Sequence, residues 1–267
     1  MPTGRIDIAR LRCACAGLHR ISREFVHFEE IRSTNAHVLD LPADADVDGL
    51  VAITEFQSGG RGRQGNRWLC PRGAGILCTV GLADPAGTIP PGLLALMVPL
   101  ALCDGIRAAT GVSCSIDWPN DLVADDRKLA GILIEAHARG STVRYAVGFG
   151  INCLQHAGHF PPELRDRATS LDLVTDQPVD RTAVLGAILT RLDQRLRDPS
   201  GWNVDDIREQ WRQRAVGLGR RVCVLHEGRR HLGNLVDIDP TAAIVVQLDE
   251  GGRRLFNAVN TTLEWVK

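Results

Sequence analysis

Hydrophobic and polar positions change period several times along the chain, and each change marks an element. Runs rich in β-branched and other apolar residues at 25–31, 50–57, 75–82, 128–136 and 143–152 read as strands. Apolar residues at helical spacing over 34–41, 93–109, 181–197 and 204–215 read as helices. The first twenty-four residues are Arg-rich and weakly patterned, and read as a short arm or a single helix. Past Gly217 and Gly219 only short β-type runs remain, at 221–226, 231–238, 243–248, 253–258 and 262–266. The turn signals Glu227-Gly228, Asp239-Pro240 and Gly251-Gly252 separate them. Short strands with tight turns predict a small barrel of SH3-like size. The organisation expected is therefore an N-terminal arm at 1–24, an α+β domain at 25–217 and an SH3-like unit at 218–267.

Bulk composition narrows the function. A chain of 267 residues can bury roughly 70–75% of its unfolded surface and needs no covalent staples. Lys plus Arg number 31 against 32 Asp plus Glu, so bulk charge does not argue for a nucleic-acid surface. Residues 1–24 are also too few for a helix-turn-helix domain, so no DNA partner is expected. The eight cysteines contain no C-x-x-C pair, which disfavours a zinc site or a redox dithiol. Charges at Arg5, Asp7, Arg10 and Arg12 interrupt any apolar run at the start, so neither a signal peptide nor a membrane span is expected there. The expected location is cytoplasmic, with most cysteines buried and reduced.

The most informative stretch lies between two predicted strands: Gln57-Ser58-Gly59-Gly60-Arg61-Gly62-Arg63-Gln64-Gly65-Asn66-Arg67-Trp68. Residues 60–65 fit G-x-G-x-x-G, but a dinucleotide fingerprint must open a helix, and here Pro71, Gly73 and Gly75 follow closely. No G-x-x-x-x-G-K-[ST] string occurs, so a P-loop is absent as well. What remains is a flexible loop in which glycines allow close backbone approach to an anion and arginines present planar forks to carboxylate or phosphate oxygens. A solvated basic turn is the plain alternative.

This loop resembles the G-R-G-R-x-G…W signature of biotin–protein ligases. Three further strings agree with that family in order and spacing. They are Ser33-Thr34-Asn35; Trp118-Pro119-Asn120-Asp121 followed by Lys128-Leu129-Ala130-Gly131-Ile132-Leu133-Ile134-Glu135; and Val147-Gly148-Phe149-Gly150-Ile151-Asn152. The resemblance spans about residues 25–215 plus a C-terminal barrel of the family type. It implies a mixed-sheet, class II synthetase-like catalytic domain in the short form, without an N-terminal DNA-binding domain. The implied activity is ATP- and Mg²⁺-dependent conversion of biotin to biotinyl-adenylate, followed by transfer to a lysine of a biotin carboxyl carrier protein. Relatives commonly dimerise through a sheet edge, so a homodimer is also implied.

Residue by residue, the resemblance places Ser33, Thr34 and Asn35 at the ureido end of biotin, although Ser-Thr-Asn is equally an ordinary helix N-cap. Gln57, Arg61, Gly62 and Arg63 would contact biotin, the two arginines also serving catalysis as they close over its carboxylate and the α-phosphate. Gly131 would leave space for the biotin ring. Arg63, Trp68, Asn120, Lys128 and Asn152 would face the nucleotide, with Trp68 either stacking on adenine or packing under the loop. His156 and His159 lack a third ligand nearby and read as a solvated turn.

One position departs from the family pattern. Relatives read Lys-Trp-Pro-Asn-Asp where this chain has Asp117-Trp118-Pro119-Asn120-Asp121, which reverses the charge at the reacting centre. Either Lys128 supplies the missing cation, or Asp117 with Asp121 holds Mg²⁺, or the protein binds biotin or its adenylate with weak turnover. A lipoate- or octanoate-handling acyl ligase or transferase of the same superfamily is the other alternative.

Overall fold

The computed structural model describes residues 4–140, 142–197, 202–239 and 241–266. The large sheet is built from β1 (Glu24–Phe28), β2 (Leu50–Thr54), β3 (Gly75–Asp84), β4 (Ser115–Asp117), β5 (Asp121–Ala124), β6 (Arg127–Arg139) and β7 (Thr142–Asn152). Its order is β1-β2-β3-β7-β6-β5-β4, with β1 and β2 parallel and the other neighbours antiparallel. Every residue of β2 is buried and nearly all of β3, because helices cover both faces of the sheet centre.

On one face lies α2 (Thr34–Asp40), touching β2, β3 and β7. The other face carries α3 (Pro91–Thr110) and α5 (Arg181–Leu196); the short α4 (Leu171–Val174) follows β7. Pro91 opens α3 and Gly111, at φ 76°, closes it in the left-handed conformation that glycine adopts without strain. A Cβ at Gly105 would lie 2.5 Å from the Ile188 Cα, so the small residue lets α3 and α5 pack backbone to backbone. Although α3 is long and apolar enough to cross a membrane, 67% of its apolar window is buried inside the fold, as befits a core helix.

Residues 4–24 are not a loose arm. They form α1 (Ile8–Ala14), capped by the Asp7 carboxylate, with Ile6, Leu11, Cys15 and Ile21 buried in the main core. The fully buried Asp193 carboxylate of α5 accepts the N–H groups of His19, Arg20 and Ile21 at 3.0, 2.7 and 2.9 Å. Glu55 accepts the Ile6 N–H and forms a buried ion pair with Arg181 at 2.9 Å. A two-turn helix is too short to show a period, and its partners lie far away in sequence, which is why the pattern reads as an arm.

The C-terminal strands β8 (Arg221–His226), β9 (Arg229–Ile238), β10 (Ile244–Leu248), β11 (Arg253–Phe256) and β12 (Thr261–Trp265) form a separate antiparallel sheet in the order β11-β10-β9-β8-β12. Of the expected turns, Asp239-Pro240 lies partly outside the described residues because Pro240 is not among them. Helix α6 (Val204–Arg214) fastens this sheet to the larger body: Arg208 and Arg212 hold Asp237 at 3.0 and 2.6 Å. The Trp118 indole donates to the Ala242 carbonyl at 3.0 Å, which seats the small sheet against the β4–β5 hairpin.

Candidate active site

The site is built on the paired centres of β6 and β7, where Gly131 stands opposite Gly150 and Leu133 opposite Gly148. Two cavities, of about 250 Å³ and 790 Å³, adjoin here, the smaller lying over this floor. The smaller is bounded by Ser33, Thr34 and Asn35, by the Gly-Arg loop, and by Thr261, Thr262 and Leu263 of the C-terminal sheet. The larger is bounded by Asp117, Asn152, Gln155, Phe160 and Arg167. Trp68, Asp121 and Lys128 border both.

Trp68 forms the partition. Its indole lies on the floor so closely that a Cβ at Gly131 would be 2.9 Å from its ring and one at Gly150 would overlap it. The wall of the smaller cavity is polar yet buried: Ser33, Thr34 and Asn35 are 5, 3 and 5% exposed. Ser33 caps α2 by accepting the Ala36 N–H at 3.4 Å, while the Thr34 N–H and hydroxyl both meet Gln57 Oε1, at 2.8 and 3.1 Å. The Thr79 hydroxyl stands within 2.6 Å of Asn35 Oδ1 and 2.7 Å of Thr34 Oγ1. Cap and pocket wall are thus one structure, and sheet residues fix its donors and acceptors.

The charged groups converge at the seam between the cavities. Lys128 Nζ lies 2.6 Å from Asp121 Oδ2 and 5.7 Å from the Trp68 ring centre. Asp117 and Asp121 are cross-strand partners in the β4–β5 hairpin. Burial, reinforced by Asp121, raises the Asp117 carboxyl to about 6 against the opposing pull of Lys128 and Arg220. Burial also raises Asp121, against Lys128 and Arg63. It disfavours the Arg63 charge, which Asp121 supports. Asp121 Oδ1 and Trp68 Nε1 are buried with no hydrogen-bond partner among the described residues.

The loop is already folded over this seam. Residues Arg63–Gly65 make one 3-10 turn, with Gln64 at φ 54° and Gly65 at φ 78°. Arg61 pairs with Glu135 at 3.2 Å, and Arg63 donates to the Ala258 carbonyl in the turn between β11 and β12. No α-helix follows the glycines, so the geometry agrees with rejecting a dinucleotide fingerprint.

Residues 27–152 match the Biotin/lipoate A/B protein ligase family. A biotin--[acetyl-CoA-carboxylase] ligase of Mycobacterium tuberculosis is 36% identical over 228 residues, which is 83% of this chain and 81% of the relative. The chain belongs to this family, among the biotin protein ligases. A bifunctional ligase/repressor BirA of Bacillus subtilis is 28% identical over 239 residues, covering 89% of this chain and 74% of the relative. In fold, the chain is similar to a biotin protein ligase from Aquifex aeolicus solved with biotin and ATP. The TM-score is 0.77 at 24% identity, over 91% of this chain and all of the other.

Within the ligase fold, the structure brings Ser33, Thr34, Asn35, Gln57, Arg61, Gly62, Arg63 and Gly131 together around the smaller cavity, and Lys128, Trp68 and Asn152 reach the larger. Two expectations need correction. The space over Gly131 is filled by the Trp68 indole, so this glycine accommodates a side chain of the protein itself. Asn120 and Arg63 border the smaller cavity and not the larger: the Asn120 amide is bent back onto the Ile132 carbonyl at 2.8 Å, and Arg63 is turned onto the Ala258 carbonyl. Of the two roles expected for Trp68, the structure shows it packed beneath the loop, where it divides the cavities. His156 and His159 lie stacked on an exposed turn, as expected.

Sequence reasoning missed Thr79, Arg67 and Glu135, along with the whole C-terminal contribution. Strand period alone would have turned Thr79 and Glu135 inward, but only tertiary structure brings Ala258 and Thr261 over the loop. One prediction follows from the floor. A Cβ at Gly148 would overlap Asn35 Oδ1, so Gly148→Ala is expected to displace that amide. The cost is about 1–3 kcal/mol of stability in denaturant titration, with biotin affinity by calorimetry falling by about tenfold or more.

Proposed function

We propose that this chain joins biotin to ATP as biotinyl-adenylate and passes the biotinyl group to a lysine of a carrier protein. In the first step the biotin carboxylate attacks the α-phosphorus and pyrophosphate leaves. In the second, the carrier ε-amine attacks the mixed anhydride, AMP leaves, and the amine loses its proton to solvent. The observation that carries this reading is the position of Lys128 Nζ, at the seam where a cavity walled by Ser33, Thr34 and Asn35 opens onto a larger one.

Two anions must meet at that seam, and fixed positive charge there offsets their repulsion. Arg61 and Arg63 bring further charge on a loop that excludes water from a hydrolysable intermediate. Buried hydroxyl and amide groups at the other end of the smaller cavity suit a ureido ring, whose donors and acceptors need partners once desolvated. No covalent enzyme nucleophile is required. The biotin ligases among the relatives favour biotin over lipoate or octanoate, and the closed loop favours turnover over mere binding.

Among the described residues no group of three His, Cys, Asp or Glu side chains is placed to hold a metal. Asp117 and Asp121 nevertheless offer two hard oxygen donors on facing strands, and Asp121 Oδ1 is orphaned. That set fits Mg²⁺ arriving with a nucleotide, since this ion is usually held by one or two carboxylates and phosphate oxygens. Bound there, it would neutralise phosphate charge in place of the family lysine, a second reading that requires Asp117→Lys to slow the reaction.

The partner is the biotinyl domain of a carboxylase, its lysine entering between the loop and the C-terminal sheet. We assign the reaction to the cytoplasm, and a homodimer through an edge of the large sheet accords with the family resemblance. The decisive experiment incubates the protein with ATP, Mg²⁺, biotin and a purified biotinyl domain, then measures intact mass. A gain of one biotinyl group on the carrier is expected, and no gain with any biotinyl domain would overturn the reading.

A further inference from the structure

The Gly-Arg loop and the polar end of the smaller cavity are tied to one carboxylate. Glu135 sits on β6 with its side chain 24% exposed, and its Oε2 accepts both Asn35 Nδ2 at 2.8 Å and Arg61 Nη2 at 3.2 Å. Asn35 cannot move independently. Its second amide hydrogen goes to the Leu133 carbonyl at 3.0 Å, its Oδ1 faces the Thr79 hydroxyl, and the backbone of Gly148 lies directly against it. The sheet fixes Asn35, Asn35 fixes Glu135, and Glu135 receives the half-exposed arginine that the loop extends across the cavity.

We propose that Glu135 is a positioning residue that latches the loop through Arg61, so that the groups facing the ureido end and the groups covering the reactive end are held in one register. The inference rests on the adenylate-forming reading of the site. Glu135 does not border the smaller cavity, so its effect reaches the reaction only through Asn35 and Arg61. The latch keeps the intermediate enclosed until a carrier arrives, because opening the loop requires breaking a charge-assisted pair that is partly shielded from water.

Glu135→Gln separates the two bonds. A glutamine oxygen still accepts from Asn35 but has no charge to hold Arg61. Escape of labelled biotinyl-adenylate through a filter during an unlabelled chase is expected to rise about tenfold. The biotin KM is expected to stay within about twofold, because the Asn35 contact is retained. Arg61→Gln should leak at least as much, because Arg61 also brings charge over the cavity, and adding Glu135→Gln to it should raise escape no further. A purely structural role for Glu135 would lower the folded fraction without altering the ratio of escape to transfer.

Unchanged escape in either variant, or additive effects in the double variant, would overturn the proposal. If Glu135→Gln does not fold, Glu135→Asp, which keeps the charge but shortens the side chain, decides it by the same ratio of escape to transfer. Should the wild-type protein form no adenylate, the reading of the site fails. Should it form adenylate that the variants retain equally well, only the latch fails.

Discussion

Lys128→Ala is expected to slow biotin-dependent pyrophosphate exchange by about two to three powers of ten, the usual cost of removing one preorganised charge from a reacting centre. Lys128 and Arg67 both border the two cavities, and among the described residues Lys128 is the one lysine at either. Its position is well defined by Asp121 at 2.6 Å and by the Trp68 ring, and its backbone is clamped between the Arg167 carbonyl and the Thr169 N–H. The substitution also leaves a mostly buried Asp121 carboxylate without its cation, a cost of about 1–3 kcal/mol. Exchange assays should therefore be normalised to the folded fraction. A fall of less than about tenfold would mean that the arginines of the loop supply the charge instead.

Asp117→Lys is expected to raise the same exchange rate by about one to two powers of ten at pH 8. Position 117 faces Asp121 across the hairpin, so a lysine there would pair with Asp121 and release Lys128 toward the phosphate. Two unit charges about 4 Å apart interact by roughly 4 kcal/mol at an effective dielectric near 20, and the substitution changes the local charge by two units. A slower enzyme would instead assign the carboxylate to Mg²⁺. Stability offers an independent check through Asp117→Asn. The folded carboxyl titrates near 6, above its ordinary value of 3.8. Between those two pH values the folded state therefore binds more protons than the unfolded one, and stability falls as pH rises. Above the upper value the full cost is in place, at most about 2–3 kcal/mol. Asp117→Asn should accordingly stabilise the protein in urea titrations at pH 8 and bring little change at pH 3.5.

Much of the α+β body was readable from period alone, because its strands and helices are buried on faces that repeat regularly. The 34–41, 93–109, 181–197 and 204–215 helices end within about two residues of their expected bounds, near signals such as Ser33, Gly111 and Asp180. The β4–β5 hairpin was not readable. Its strands are three and four residues long, each carries an Asp, and Pro and Asn occupy the turn; they exist because β6 offers an edge and Trp118 anchors the turn. The site divides in the same way. Ser33 to Asn35 and the Gly-Arg loop are contiguous in sequence and carry their chemistry with them. Glu135, Thr79 and the Ala258 turn acquire meaning only through neighbours brought together by folding, and no local pattern reports that the indole of Trp68 rests on Gly131 and Gly150.

The carboxylate of Asp193 has a consequence for how the molecule is made. Its three amide partners at 19–21 precede it by 172 to 174 residues, and Arg181 stands 126 residues beyond Glu55. As the polypeptide leaves the ribosome, the apolar faces of Leu11 and Ile21 have no permanent resting place until α5 emerges. Synthesis at about 5–20 residues per second makes that wait several seconds or more. Over that interval these residues stay exposed to chaperones and proteases. Closure of the large sheet is thus a late event, completed by a helix that touches neither of the two cavities.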